Sequence, residues 1–547
     1  MRKFIVTAAA VALLLSSFRG VAQAFPVVDC DERVALCAES NDALGYAGAY
    51  TGHDEPSLLF YSDVPGSGNS SLYQLQLPTD PTLQPTQDGK GTTWNFQLHP
   101  AFWFGMALCD NQSAPEYTHA ACVANSDTNI KDDASPSSAS YIGKHAGTAF
   151  LELQFYPPGW APWPPGVSCD AEKWCAAMAI FSLNLDQNTN TANNAACLGT
   201  VGLEPVNFAF ITRSGVPHAP TGPLDLNGAS FTPSASTDLF MRSGDRLTVD
   251  IHDSPAGLVT AIQDHSTGQS GSMVASRANG FAQINFKPKA KTCTESPYAF
   301  HPMYATSSEH TRVVWAAHSY NVAFSDEIGH FAYCSAVDAE GGSCTGTKRN
   351  DPGLTEDDNA GCFSPSFTTK VHIGGCLATD NDFDGVPYQP VWPGTNPNAA
   401  QDAKLHPSSI LFTSPLFNGT QNYSRVAFEA DLPRIEAADL GGICNRTTGA
   451  NCVNPPPGAN FYPIFTTGTD AGNQGGGGGQ QNGGDGNCVW QFGGTHIPGT
   501  TNTFGGNSTA EYGPLLFSLY PGAGSQPSSR YNNFRNVLST NPCPARP

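Results

Sequence analysis

Charge is scarce in this chain of 547 residues, where Asp, Glu, Lys and Arg make up 13 %, about half the share usual in a globular domain. Basic residues are scarcer still, 26 against 47 acidic. Binding a phosphate backbone requires clustered Lys and Arg, and no basic run or recognition-helix pattern occurs, which argues against nucleic acid as a partner. No apolar stretch, the short run at the start included, reaches the ~18 residues of a membrane-crossing helix, so no membrane insertion is expected. CxxC, HExxH, the GxSxG elbow, the dinucleotide fingerprint and the Walker loop are all missing. Thiolate zinc sites, zinc peptidases, serine hydrolases and nucleotide enzymes therefore have no local support.

The short run at the start is informative. Met1-Arg2-Lys3, the apolar stretch Phe4 to Leu15 and Ala22-Gln23-Ala24 have the basic, apolar and small-residue parts of a cleavable export signal over 1–24. The mature chain from Phe25 is expected to be soluble and secreted. Losing Arg2, Lys3 and Arg19 with the signal takes the formal charge from −21 to −24. All sixteen cysteines follow the signal, and an even number in an oxidising compartment predicts disulfides. Asn-x-Ser/Thr sequons start at Asn69, Asn111, Asn418, Asn422, Asn445 and Asn507. These matter only where the host glycosylates.

Glycine and proline are plentiful, at 56 and 43 residues, and they bound short segments in which apolar and polar residues alternate. Tyr73, Leu75 and Leu77 alternate with glutamines, as do Trp94, Phe96 and Leu98 with polar residues; Leu151, Leu153 and Phe155, and Leu247, Val249 and Ile251, follow suit. Period two is the signature of a half-buried strand. About ten such segments in 25–290, with no sustained helical stripe, predict a mainly β fold: a two-sheet antiparallel sandwich of jelly-roll or lectin-like type. Residues 291–547 form a loop-rich, disulfide-stapled β region that extends the same sandwich or builds a smaller one. Its Gly-rich stretch 472–487 reads as a surface loop.

Three places carry residue types suited to chemistry. Glu152 and Gln154 are two apart on one predicted strand and so share a face. They are followed by Tyr156, Trp160 and Trp163 in a Pro-rich loop, whose rings suit the flat faces of sugars. His318, Asp326, Glu327 and His330 lie at and beyond the end of another predicted strand, where they would serve as acid, base or metal ligand. Asp380, Asp382 and Asp384 with Gly385 resemble the opening of a calcium loop of the EF-hand or DxDxDG type. Position 12 of that loop is Val391, not Glu, so a structural calcium ion would need other ligands.

Together these features predict a carbohydrate-active hydrolase acting on extracellular polysaccharide, with Glu152 and Glu327 as the paired carboxyls that glycosidic cleavage needs. The alternatives are an acid peptidase of the Glu/Gln type, acting on protein and using Gln154 beside a glutamate, and a non-catalytic glycan-binding or surface protein.

Overall fold

The computed structural model describes residues 50–51, 57–61, 70–79, 102–113, 124, 148–158, 169–170, 172–186, 191–303, 319–326, 410–413, 415–417, 421–423, 425–431, 466–467, 489–492, 515–516, 530–531 and 533–538. Among these the chain is mainly β and antiparallel, with few helices. Eleven strands form one sheet and seven another. Five strands of the larger sheet frame the site described below: β1 (Phe102–Cys109), β2 (Thr148–Tyr156), β3 (Lys173–Ser182), β4 (Val206–Phe210) and β5 (Ser319–Asp326). Their order is β4-β3-β2-β1-β5, all antiparallel. Strands from beyond residue 291 pair into both sheets, Arg425–Asp431 with Ser57–Tyr61 in the larger and Ile410–Thr413 with Ser70–Gln76 in the smaller.

The smaller sheet follows the sequence pattern closely. In Arg246–His252, Leu247, Val249 and Ile251 are buried while their neighbours are not, and Ser70–Gln76 alternates in the same way. In the larger sheet every residue of β1 is buried, as is nearly every residue of β3. Their faces are therefore both covered, which is why Phe102-Trp103-Phe104-Gly105-Met106-Ala107-Leu108 reads as an unbroken apolar run. One face joins a core shared with the smaller sheet, where Tyr73 meets Phe104 at 4.5 Å between ring centroids. Phe102 stacks on Phe155 at 4.6 Å. The other face carries a separate cluster of Tyr156, Cys175, Ala177, Ala179, Phe208 and Phe210, overlaid by Leu226 and Phe231.

A buried polar knot ties the strand ends together. Fully buried Asp110, just past β1, accepts hydrogen bonds from the Gln112 and Ser113 amides, the Ser182 hydroxyl and the Gln283 carboxamide at 2.6–3.2 Å. Burial raises its carboxyl above the usual range, and these four donors oppose the rise. A short helix, Ala195–Val201, is capped by the Asn194 side chain, which accepts from the Ala196 and Cys197 amides. No helix of the described residues is long and apolar enough to cross a membrane.

Disulfides join Cys169 to Cys175 and Cys197 to Cys293, and no described cysteine is free. The second closes a loop of 96 residues. By loop entropy, replacing both its cysteines with serine should cost roughly 4–5 kcal/mol. A two-state melt of the Cys197→Ser/Cys293→Ser variant against the native chain checks this, and thiol titration of unfolded, unreduced protein should find few free groups.

Electrostatics also favours the fold in acid. Asp245 is nearly covered and Asp264 is fully buried. Desolvation raises the Asp245 carboxyl, the Arg242 amide lowers it, and a hydrogen bond and charge from Asp264 raise it again. Asp110, Glu152, Glu204 and Glu295 are also raised, each chiefly by desolvation. A carboxyl raised on folding contributes stability that is complete below its unfolded pKa of ~3.9–4.3 and is lost as pH climbs through the folded value. Tm should therefore fall between about pH 4 and about pH 8 through these groups. Asp245→Asn, which cannot ionise, should show a shallower fall and a higher Tm at the neutral end.

Candidate functional site

Glu152, Gln154 and Tyr156 project from one face of β2 because a strand alternates its side chains. The opposite face of β2 is held in the core by Leu151, Leu153 and Phe155. Gln154 donates from Nε2 to Glu152 Oε2 at 2.6 Å, and the Tyr156 hydroxyl donates to Gln154 Oε1 at 2.5 Å. The three side chains thus form one directed chain. Gln154 and Tyr156 are buried, whereas Glu152 is half-buried. Neither the second Nε2 hydrogen of Gln154 nor Glu152 Oε1 has a hydrogen-bond partner among the described residues.

The neighbouring strands give this row its shape. Glu152 lies opposite Gly105 on β1 and Ala179 on β3, while Gln154 lies opposite Trp103 and Ala177. Two residues with almost no side chain flank the carboxyl in register, and the indole of Trp103 reaches across the space above Gly105. Trp103 packs edge-on to Phe150 at 5.6 Å, closing the row beyond Glu152. At the other end Tyr156 lies opposite Cys175, and the Cys175 disulfide brings Cys169 Sγ to 3.3 Å from the Tyr156 carbonyl.

Burial pushes the Glu152 carboxyl up to about 7; the Gln154 hydrogen bond opposes this, and the nearby Glu204 carboxylate adds to it. Glu204, two residues before β4, is itself raised by desolvation although its side chain is exposed. A carboxyl poised near neutrality, with one oxygen oriented and the other open, is equipped to take and return a proton.

Of the residues singled out in the sequence, the structure brings together Glu152, Gln154 and Tyr156. Asp326 ends β5 in register with Phe102, one position off the row in which Ser325, Trp103 and Gln154 align. Glu327, His330, His318, Trp160, Trp163 and the calcium-type residues Asp380, Asp382 and Asp384 lie outside the described residues, within which no group of three potential metal ligands occurs. Sequence reasoning missed Glu204, which carries no motif and reaches Glu152 only through the fold. It also missed two histidine–aspartate pairs, His218–Asp238 at 2.8 Å and His301–Asp253 at 2.7 Å. His218 Nε2 already faces the Ala229 and Thr232 carbonyls, and the ring stacks on Phe210, so that pair braces the segment over β4.

Gln154→Leu removes the one hydrogen bond that favours ionised Glu152. The Glu152 titration, followed by carbon-13 NMR of the labelled carboxyl, should move upward by roughly one unit, the scale of a lost charge-assisted bond. An unmoved or lowered titration would show that the bond does not act on the carboxyl. No protein-family model, curated protein or solved structure matches the chain.

Proposed function

We propose that this protein is a secreted hydrolase, built on a two-sheet sandwich, in which Glu152 is the acid–base group and Gln154 its orienting partner. The observation that carries this is the 2.6 Å bond from Gln154 Nε2 to Glu152 Oε2, on a face flanked by Gly105 and Ala179. Peptide hydrolysis suits the pair best. Ionised Glu152 takes a proton from a water as the water oxygen attacks the carbonyl carbon. The second N–H of Gln154 can hydrogen-bond the oxyanion that develops, and Glu152 then passes its proton to the leaving nitrogen as the C–N bond breaks. Cys169–Cys175 and Cys197–Cys293 support an extracellular setting.

Glycoside hydrolysis is the second possibility, favoured by a separate observation: the Glu204 carboxylate acts on Glu152, which supplies a carboxyl pair without recourse to Glu327. Cleavage with retention needs the two carboxyls about 5–5.5 Å apart, and with inversion about 6.5–9.5 Å.

The two are separated by incubating the full chain with denatured protein and with polysaccharides between about pH 3 and pH 8, reading new amines and new reducing ends. Glu152→Gln should lower turnover by ~10²–10⁴-fold with a Tm no lower than that of the native chain. Turnover that survives Glu152→Gln would dismiss Glu152 as the acid–base group. Retention on immobilised glycans with no turnover on either substrate class would replace the enzyme with a binding protein.

A further inference from the structure

We infer that Tyr156 is a positioning residue, whose hydroxyl, by holding the carboxamide oxygen of Gln154, decides which oxygen of Glu152 carries the acid proton. For its catalytic consequence this rests on the hydrolase assignment above; for its structural content it does not.

A carboxamide is nearly symmetric in shape, so Gln154 fits its place in either of two orientations, distinguished only by what its neighbours donate and accept. Ionised Glu152 accepts only, which forces the N–H toward it. Once Glu152 is protonated that constraint lapses. Were the amide then to flip, the proton would settle on Oε2 and be trapped in a bond to the Gln154 oxygen, pointing along the strand and away from any substrate. With the amide held as found, Oε2 still accepts from Nε2 and the proton must sit on Oε1, the oxygen left open among the described residues.

Tyr156 holds it as found. Its hydroxyl donates to Gln154 Oε1, and a flip would turn an amide N–H onto that hydroxyl and force the hydroxyl proton away from Gln154. The ring is buried and braced by an edge-on contact with Phe208 at 6.5 Å. Its backbone is fixed opposite Cys175, within the reach of the Cys169–Cys175 disulfide. The amide therefore stays in one orientation through the cycle. The proton taken from water reaches Oε1 and leaves from Oε1 to the departing group.

The test follows the Gln154 side-chain amide in nitrogen-15-labelled full chain, assigned by its loss in Gln154→Leu. In the native protein one amide proton should remain displaced downfield by its bond to Glu152 at both about pH 5 and about pH 9, on either side of the carboxyl's titration. In Tyr156→Phe it should remain so at the higher pH and lose the displacement at the lower. Loss of the displacement at low pH in the native protein, or its retention there in Tyr156→Phe, would overturn the inference. The native pH series decides the matter if the variant fails to fold. Where a substrate has been found, Tyr156→Phe should lower kcat roughly tenfold on the acid side while leaving KM in place. If Glu152→Gln keeps full turnover, the catalytic assignment fails, yet the amide measurement still reports on Tyr156.

Discussion

The strands at the centre of the larger sheet are covered on both faces, and that constraint governs the rest of the described structure. A strand so placed gives its polar side chains little access to bulk water, so they are favoured where they find partners inside the protein. Glu152, Gln154 and Tyr156 solve this as a line, each satisfying the next along β2. At the strand ends the same demand is met by the knot around Asp110, where one carboxylate gathers four donors from three parts of the chain. Removing Asp110 would leave those donors facing one another, each at a cost of ~1–3 kcal/mol.

Composition explains why neutral groups do this work. With 26 basic residues for 47 acidic ones, at least 21 carboxyls cannot be paired one-to-one with a lysine or arginine. Several described carboxyls are instead held by backbone amides, hydroxyls and carboxamides: the Thr267 hydroxyl and the Ser266 and Thr267 amides on Asp264, the Leu224 amide on Glu295, and Gln154 on Glu152. Such donors soften desolvation without reversing it, so Asp110, Glu152, Asp245 and Glu295 all remain raised. His252, raised chiefly by its hydrogen bond to Asp250, has the same sign. A protein low in Lys and Arg is thereby biased toward acid by the way it folds.

What could be read beforehand follows from how local each signal is. Alternation in Leu247, Val249 and Ile251 survives in the fold because only one side of that strand is buried. The same logic placed Glu152 and Gln154 on one face, since side-chain period belongs to the backbone. Strand β3, Lys173–Ser182, carries no such alternation to mark its ends, because it is buried on both sides. The helix Ala195–Val201 is too short to show a stripe, and its cap Asn194 is hidden in an Asn- and Thr-rich run. Register is not local at all. Nothing in the sequence says that Gly105 and Ala179 flank Glu152, that Asp326 falls opposite Phe102, or that Glu204 comes near.

The number of donors each carboxyl meets separates Glu152 from Asp110. Asp110 has both oxygens engaged by donors, whereas Glu152 has one. That oxygen is oriented by Gln154 and the other is left open, while burial and Glu204 hold the carboxyl near neutrality. Asp110 and Glu152 are thus two answers to one desolvation problem. The first surrounds the charge with donors until it is inert; the second gives it a single donor, fixes that donor through Tyr156, and leaves the remaining oxygen free to exchange a proton.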